Sequence, residues 1–199
     1  MTNTLKTHFK STHFVQLTVA MVLTLLTGAL ANAQGPYDYR VLAASKTSTL
    51  EKEMNEAAEA GFRFSFVMGG ETAVGGSEGV AVFAKSPQSG RYAYKLLATS
   101  KTSTMQKEIQ EAADAGFEYR DQTIFNSTFG GQEVVCIMER DKDAAGHKSE
   151  YRLLATTKTS TLEKELHDAG AAGYELMGMT VAKTAMGGKE LVAIMRKGK

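Results

Sequence analysis

Cysteine occurs once in the 199 residues, as Cys136, tryptophan is absent, and there are only four histidines. A single thiol cannot close an internal disulfide. Cys136 sits in the apolar run "EVVCIME" (133–139), where a buried, inert thiol is expected. The histidines and carboxylates show no metal-ligand spacing. The one Gly-x-Ser-x-Gly string, Gly75-Gly76-Ser77-Glu78-Gly79, falls in a strand-to-strand hairpin and not at a strand-to-helix elbow, so it offers no nucleophile. The glycine-rich stretch "GGETAVGG" (69–76) leads from a strand into a hairpin rather than into a helix, so it is no phosphate loop. Glu51 and Glu53, like Glu163 and Glu165, fall on different faces of one helix and are poorly placed to share a proton. The expectation is a protein that is not an enzyme and that carries no metal and no cofactor.

Charge of one sign is missing as well. The sequence holds 23 Lys and Arg against 22 Asp and Glu, with the signs interspersed. That balance excludes the electrostatic footprint of a nucleic-acid binder, and no basic amphipathic stripe marks a membrane-surface helix. The one long apolar run lies at the start: Lys6 and Lys10 precede a nearly unbroken apolar stretch from Phe14 to Leu30, and Ala31-Asn32-Ala33 reads as a small-x-small cleavage site. Residues 1–33 are therefore expected to be an export signal, which makes the protein periplasmic or secreted, with no membrane insertion after cleavage. His147 and His167 are the histidines beyond that point. His147 lies in a linker, and His167 is expected on the exposed face of a helix beside Asp168.

What is present is repetition. Tyr39, Tyr94 and Tyr151 align without gaps, as do Lys46, Lys101 and Lys158; Gly61, Gly116 and Gly173; and Glu78, Glu133 and Glu190, in steps of 55 and 57 residues. Each copy opens with a strand ("YRVLAA", "YKLLAT", "YRLLAT"). A helix follows in which Leu50, Met54, Ala57 and Ala58, or Met105, Ile109, Ala112 and Ala113, recur at helical spacing. It ends at a glycine followed by an aromatic residue, which reads as a left-handed cap with a hydrophobic contact. Two strands joined by Gly-Gly (75–76, 130–131, 187–188) complete the unit. The fold class is α+β: three tandem β-α-β-β repeats at 37–86, 91–141 and 149–199, each a three-stranded mixed sheet with one helix on one face. The last strand, apolar on both sides, takes the centre. A unit of this size buries too little to stand alone, so the free sheet face is expected to be covered by a sister unit or by another chain.

The run Tyr-Arg/Lys-apolar-apolar, then Leu-Glu-x-Glu-Leu, then Ala-x-x-Gly-aromatic-Glu and a Gly-Gly hairpin resembles a family of short bacterial domains catalogued without assigned function. Those domains usually carry Gly-Trp-Glu after the helix; here the copies read "GFRF", "GFEY" and "GYEL". The motif is one of packing and implies no catalytic residue. The strand and helix order is also that of dodecin-like folds, as an analogy of architecture.

The most repeated string is "KTSTLEKE" (46–53 and 158–165), with "KTSTMQKE" at 101–108. Ser48 and Glu51, Ser103 and Gln106, and Ser160 and Glu163 have the spacing of a capping box. That box leaves the lysines and threonines unexplained. A helix start with spare N–H donors and a nearby ammonium suits an anion, which makes Lys46, Thr47, Ser48, Lys101, Thr102, Ser103, Lys158, Thr159 and Ser160 candidate ligand-binding residues. Two readings of function follow. The first is an exported interaction or assembly module whose partner is an envelope or extracellular protein, a polymer, or the chain itself. The alternative is a small anionic-ligand binder using the three helix starts.

Overall fold

The computed structural model describes residues 37–72, 76–85, 90–126, 132–146, 148–183 and 189–198. The expected export signal, His147 and most of the Gly-Gly hairpins lie outside them. Three copies of one unit run along the chain. The first is β1 (Tyr39–Ala44), α1 (Thr47–Glu59), β2 (Phe62–Thr72) and β3 (Gly76–Lys85). The second is β4 (Tyr92–Thr99), α2 (Thr102–Asp114), β5 (Glu118–Asn126) and β6 (Gln132–Asp141). The third is β7 (Ser149–Thr156), α3 (Thr159–Ala171), β8 (Glu175–Lys183) and β9 (Lys189–Gly198). Each forms its own three-stranded sheet, in the orders β1-β3-β2, β4-β6-β5 and β7-β9-β8. The doubly apolar last strand is central, as its composition requires. The sheets are antiparallel throughout, not mixed. The crossover through the helix carries the chain past the central strand, so the two strands that run the same way never pair.

Each helix ends as its glycine dictates. Gly61, Gly116 and Gly173 have φ of 82, 84 and 87°. Phe117 N–H donates to Ala112 O and Gly116 N–H to Ala113 O, and Tyr174 N–H donates likewise to Ala169 O, which is the Schellman pattern. The aromatic ring that follows lies under two cations. Arg40, Lys95 and Arg152 reach over Phe62, Phe117 and Tyr174 from the first strand, and Lys85, Arg140 and Lys197 from the last. The latter three also donate to the terminal carbonyls of Ala60, Ala115 and Ala172, where the helix dipole favours positive charge.

The helix starts differ from the expected capping box. Lys46, Lys101 and Lys158 are the N-caps, extended and without a side-chain cap bond, so each serine sits two residues inside the helix. The residues meant to reach back, Glu51 and Gln106, turn away from their own helix and bond the next repeat. Ser48→Ala, Ser103→Ala and Ser160→Ala are therefore expected to shift stability by no more than about 0.5 kcal/mol each in chemical denaturation. A loss of about 1 kcal/mol or more per serine would restore the capping box.

The units pack in sequence. The inner face of sheet 1 and the outer face of sheet 2 enclose α1 between them. Leu50, Met54, Phe64, Val67, Ala81 and Phe83 thus share one core with Tyr94, Leu96, Val135 and Ile137 of the second repeat. The same arrangement joins repeat 2 to repeat 3, where Met105, Ile109, Cys136 and Met138 pack with Tyr151, Val192 and Ile194. Around α3 the cluster shrinks to Ala169, Tyr174 and Met195 with Leu154 and Leu166 at its margin. The layers therefore alternate sheet, helix, sheet, helix, sheet, helix. The outer face of sheet 1 and the outer face of α3 remain as the two ends.

Candidate interaction surface

The residues at i, i+4 and i+7 on a helix share one stripe. In α1 those are Glu51, Asn55 and Ala58, and that stripe points at β4. The Asn55 amide donates to Tyr94 O and accepts from Tyr94 N–H, both at 3.0 Å. The Glu51 carboxylate accepts from Leu96 N–H at 2.8 Å. In α2 the equivalent Gln106 donates to Tyr151 O and accepts from Leu153 N–H, while Gln110 accepts from Tyr151 N–H and donates to Ser149 O. α1 and α2 thus each close the exposed edge of the following sheet with side chains in place of a neighbouring strand. The sequence signal was a pair of polar residues four apart inside an apolar flank, and it was missed because Glu51 and Gln106 were assigned to their own helix start.

A second device uses the bulges. Each second strand shifts register at the same place, at Phe64/Phe66, Tyr119/Asp121 and Leu176/Gly178, which interrupts its ladder. Phe64 N–H donates to the Tyr94 hydroxyl and Tyr119 N–H to the Tyr151 hydroxyl, both at 2.9 Å. The repeated tyrosine is therefore a seam residue. Burial holds the ionisation of Tyr94, Tyr119 and Tyr151 above its ordinary range, and the Glu139 carboxylate adds to the effect at Tyr94. The first seam also holds an ion pair. Arg63 donates to the buried carboxylate of Glu139 at 2.7 Å, and Tyr94 donates to its other oxygen at 2.7 Å. That hydrogen bond, set against desolvation, keeps Arg63 above its usual range.

The candidate anion-binding residues stand one set per repeat. Lys46, Lys101, Lys158, Ser48, Ser103, Thr159 and Ser160 are exposed, and Thr47 and Thr102 are half-buried. Among the described residues no side-chain hydrogen bond or ion pair joins one helix start to another. At α2 the Thr102 hydroxyl donates to a carboxylate oxygen of Glu190 at 3.2 Å, so an acidic group from the third repeat already lies at that N-terminus. Cys136 is fully buried and burial pushes its thiol well up; His167 is exposed on α3.

The seams define what the ends lack. Tyr94 and Tyr151 are 2% and 3% exposed, whereas the aligned Tyr39 is 58% exposed. Val41, Phe66 and Met68 lie open on the same face of sheet 1, in register with Val82 and Val80. At the opposite end Leu176, Met179 and Val181 of β8 are exposed, although their counterparts Phe64 and Tyr119, and Val67 and Gln122, are buried. With Leu162, Leu166 and Gly170 of α3, Leu176 and Met179 line a groove of about 650 Å³. Apart from Tyr37, every large apolar side chain exposed among the described residues lies on one of these two faces. Each of these apolar side chains is already about half covered, so completing its burial would gain roughly 1 kcal/mol. No known family model matches the chain, and neither a curated protein nor a solved structure matches it.

Proposed function

We propose that the chain is an exported, non-enzymatic interaction and assembly module of a bacterial periplasm or extracellular space, which offers its end faces to a protein, a polymer or a copy of itself. One observation carries the reading. The surface apolar residues gather on two end faces, where a stack of repeats facing water needs polar caps. Export is supported by the basic start, apolar run and small-x-small site of residues 1–33. The balanced charge supports a partner other than nucleic acid. The unit order and the Gly-aromatic motif support grouping the repeats with the short bacterial β-α-β-β domains they resemble, and the dodecin-like likeness is kept to architecture. Anion binding at the KTST starts has less support, because at one of the three a carboxylate, that of Glu190, already accepts from the Thr102 hydroxyl.

A photo-crosslinking residue at Phe66 or at Met179 of the full-length protein, expressed in bacterial cells, tests the reading. Crosslinked products are expected from both positions and not from Lys52, which is exposed on α1 away from either face. Equal yields at all three positions, or none, would overturn it.

A further inference from the structure

We infer that the partner of each end is the opposite end of a second copy of this chain, so that α3 and β8 of one molecule seat on the outer face of sheet 1 of the next. The inference rests on the reading of the chain as an assembly module and names its partner. The two open faces are the two halves of an interface that the chain builds twice internally. Every position that covers β4 and sheet 2 in the first seam has an aligned position at the tail: Glu51, Met54, Asn55, Ala58, Phe64 and Val67 correspond to Glu163, Leu166, His167, Gly170, Leu176 and Met179. Every position covered by them has one at the head: Tyr94, Leu96, Val135 and Ile137 correspond to Tyr39, Val41, Val80 and Val82. The tail groove lies where the first seam packs Tyr94 and Leu96 against Leu50 and Met54.

The departures between copies point the same way. The first seam places Asp121 and Thr123 opposite the edge of β2, where they accept from Val67 N–H and Gly69 N–H. The head carries Phe66 and Met68 at those positions, which suits the apolar Met179 and Val181 of the tail edge. Ala84 replaces the buried Glu139, so the head holds no carboxylate that would demand an arginine at the position where the tail carries Glu175. His167 replaces Asn55 and Gln110, so a polar side chain stands at the clamp position of the tail as well. A head-to-tail contact of this kind is heterologous, and it gives a ring where the rotation closes and a filament where it does not.

Two charge substitutions test it on the protein purified after expression of the full-length sequence. Val41 is 64% exposed and Met179 51%, so Val41→Glu and Met179→Glu are expected to leave the circular dichroism spectrum and melting of the single molecule unchanged. Sedimentation of the wild type is expected to show a mass that rises with concentration. Each variant alone is expected to lose association by at least about tenfold in its constant. An equimolar mixture is expected to yield a one-to-one complex and nothing larger, because one live head then meets one live tail. Phe66→Glu and Leu176→Glu serve as a second head and tail pair. A wild type that stays monomeric at roughly millimolar concentration would overturn the inference, as would a mixture that stays monomeric. So would loss in only one of the two variants, which would mean a face pairing with itself. Crosslinks from Phe66 and Met179 to other proteins alone, with a monomeric wild type, would leave the assembly-module reading standing and remove the second copy.

Discussion

Replacing Gln106 and Gln110 together by alanine is expected to destabilise the chain by about 4 kcal/mol and to loosen the third repeat from the second. The two amides make four hydrogen bonds to the edge of β7, at Ser149 O, at Tyr151 N–H and O, and at Leu153 N–H. Tyr151 is buried and Leu153 half-buried at this seam, so water cannot freely take over. A buried backbone group left without its partner costs about 1–3 kcal/mol, and the sum is reduced because neighbouring losses do not add. Native-state hydrogen exchange should report the site directly, with the Tyr151 and Leu153 amides exchanging much faster while those of β3 do not change. Gln110→Asn should be tolerated, since Asn55 performs the same task in the first repeat. If the double variant lost less than about 1 kcal/mol in urea denaturation, the clamp would not be holding the seam.

Gly69→Ala is expected to cost about 3 kcal/mol, at the upper end of ordinary overpacking penalties. Gly69 lies where β2 crosses onto β5, and a Cβ built on it runs into the backbone carbonyl of Ile124. A backbone group cannot rotate aside as a side chain can, so the strands must part. The bonds from Val67 N–H to Asp121 and from Gly69 N–H to Thr123 would stretch or break with them. The adjacent Gly70 supplies the control, because a Cβ there meets nothing within 4 Å. Gly70→Ala should be neutral or stabilising by up to about 1 kcal/mol, through the reduced freedom of the unfolded chain. Equal thermal midpoints for the two variants would mean that the close approach of β2 to β5 does not matter for stability.

The parts of this architecture legible in the sequence were those with a local cause. Helical spacing of Leu50, Met54, Ala57 and Ala58 located α1, and a glycine before an aromatic residue located its end, because the left-handed turn there is set by one residue. The central place of β3, β6 and β9 followed from apolar residues on both of their faces. The helix start was misread for a physical reason. Glu51 at three residues from Ser48 satisfies the spacing of a capping box, but the carboxylate found a stronger claim in an unpaired strand edge 45 residues further along. The cations over Phe62, Phe117 and Tyr174 were also missed, because the spacing shows that Lys85, Arg140 and Lys197 recur but not where the last strand ends relative to the helix.

By itself the sequence determined that there are three like units, what each contains and in what order its strands lie, since periodicity, turn residues and copy-to-copy alignment are properties of the chain. Tertiary structure alone decided which copy of a shared residue is covered. Tyr39, Tyr94 and Tyr151 occupy one position in one motif, yet two are buried in seams and one stands on an open face. Burial belongs to the neighbour as much as to the residue: β4 and β7 have a helix from the preceding repeat across them, and among the described residues no such helix lies across β1.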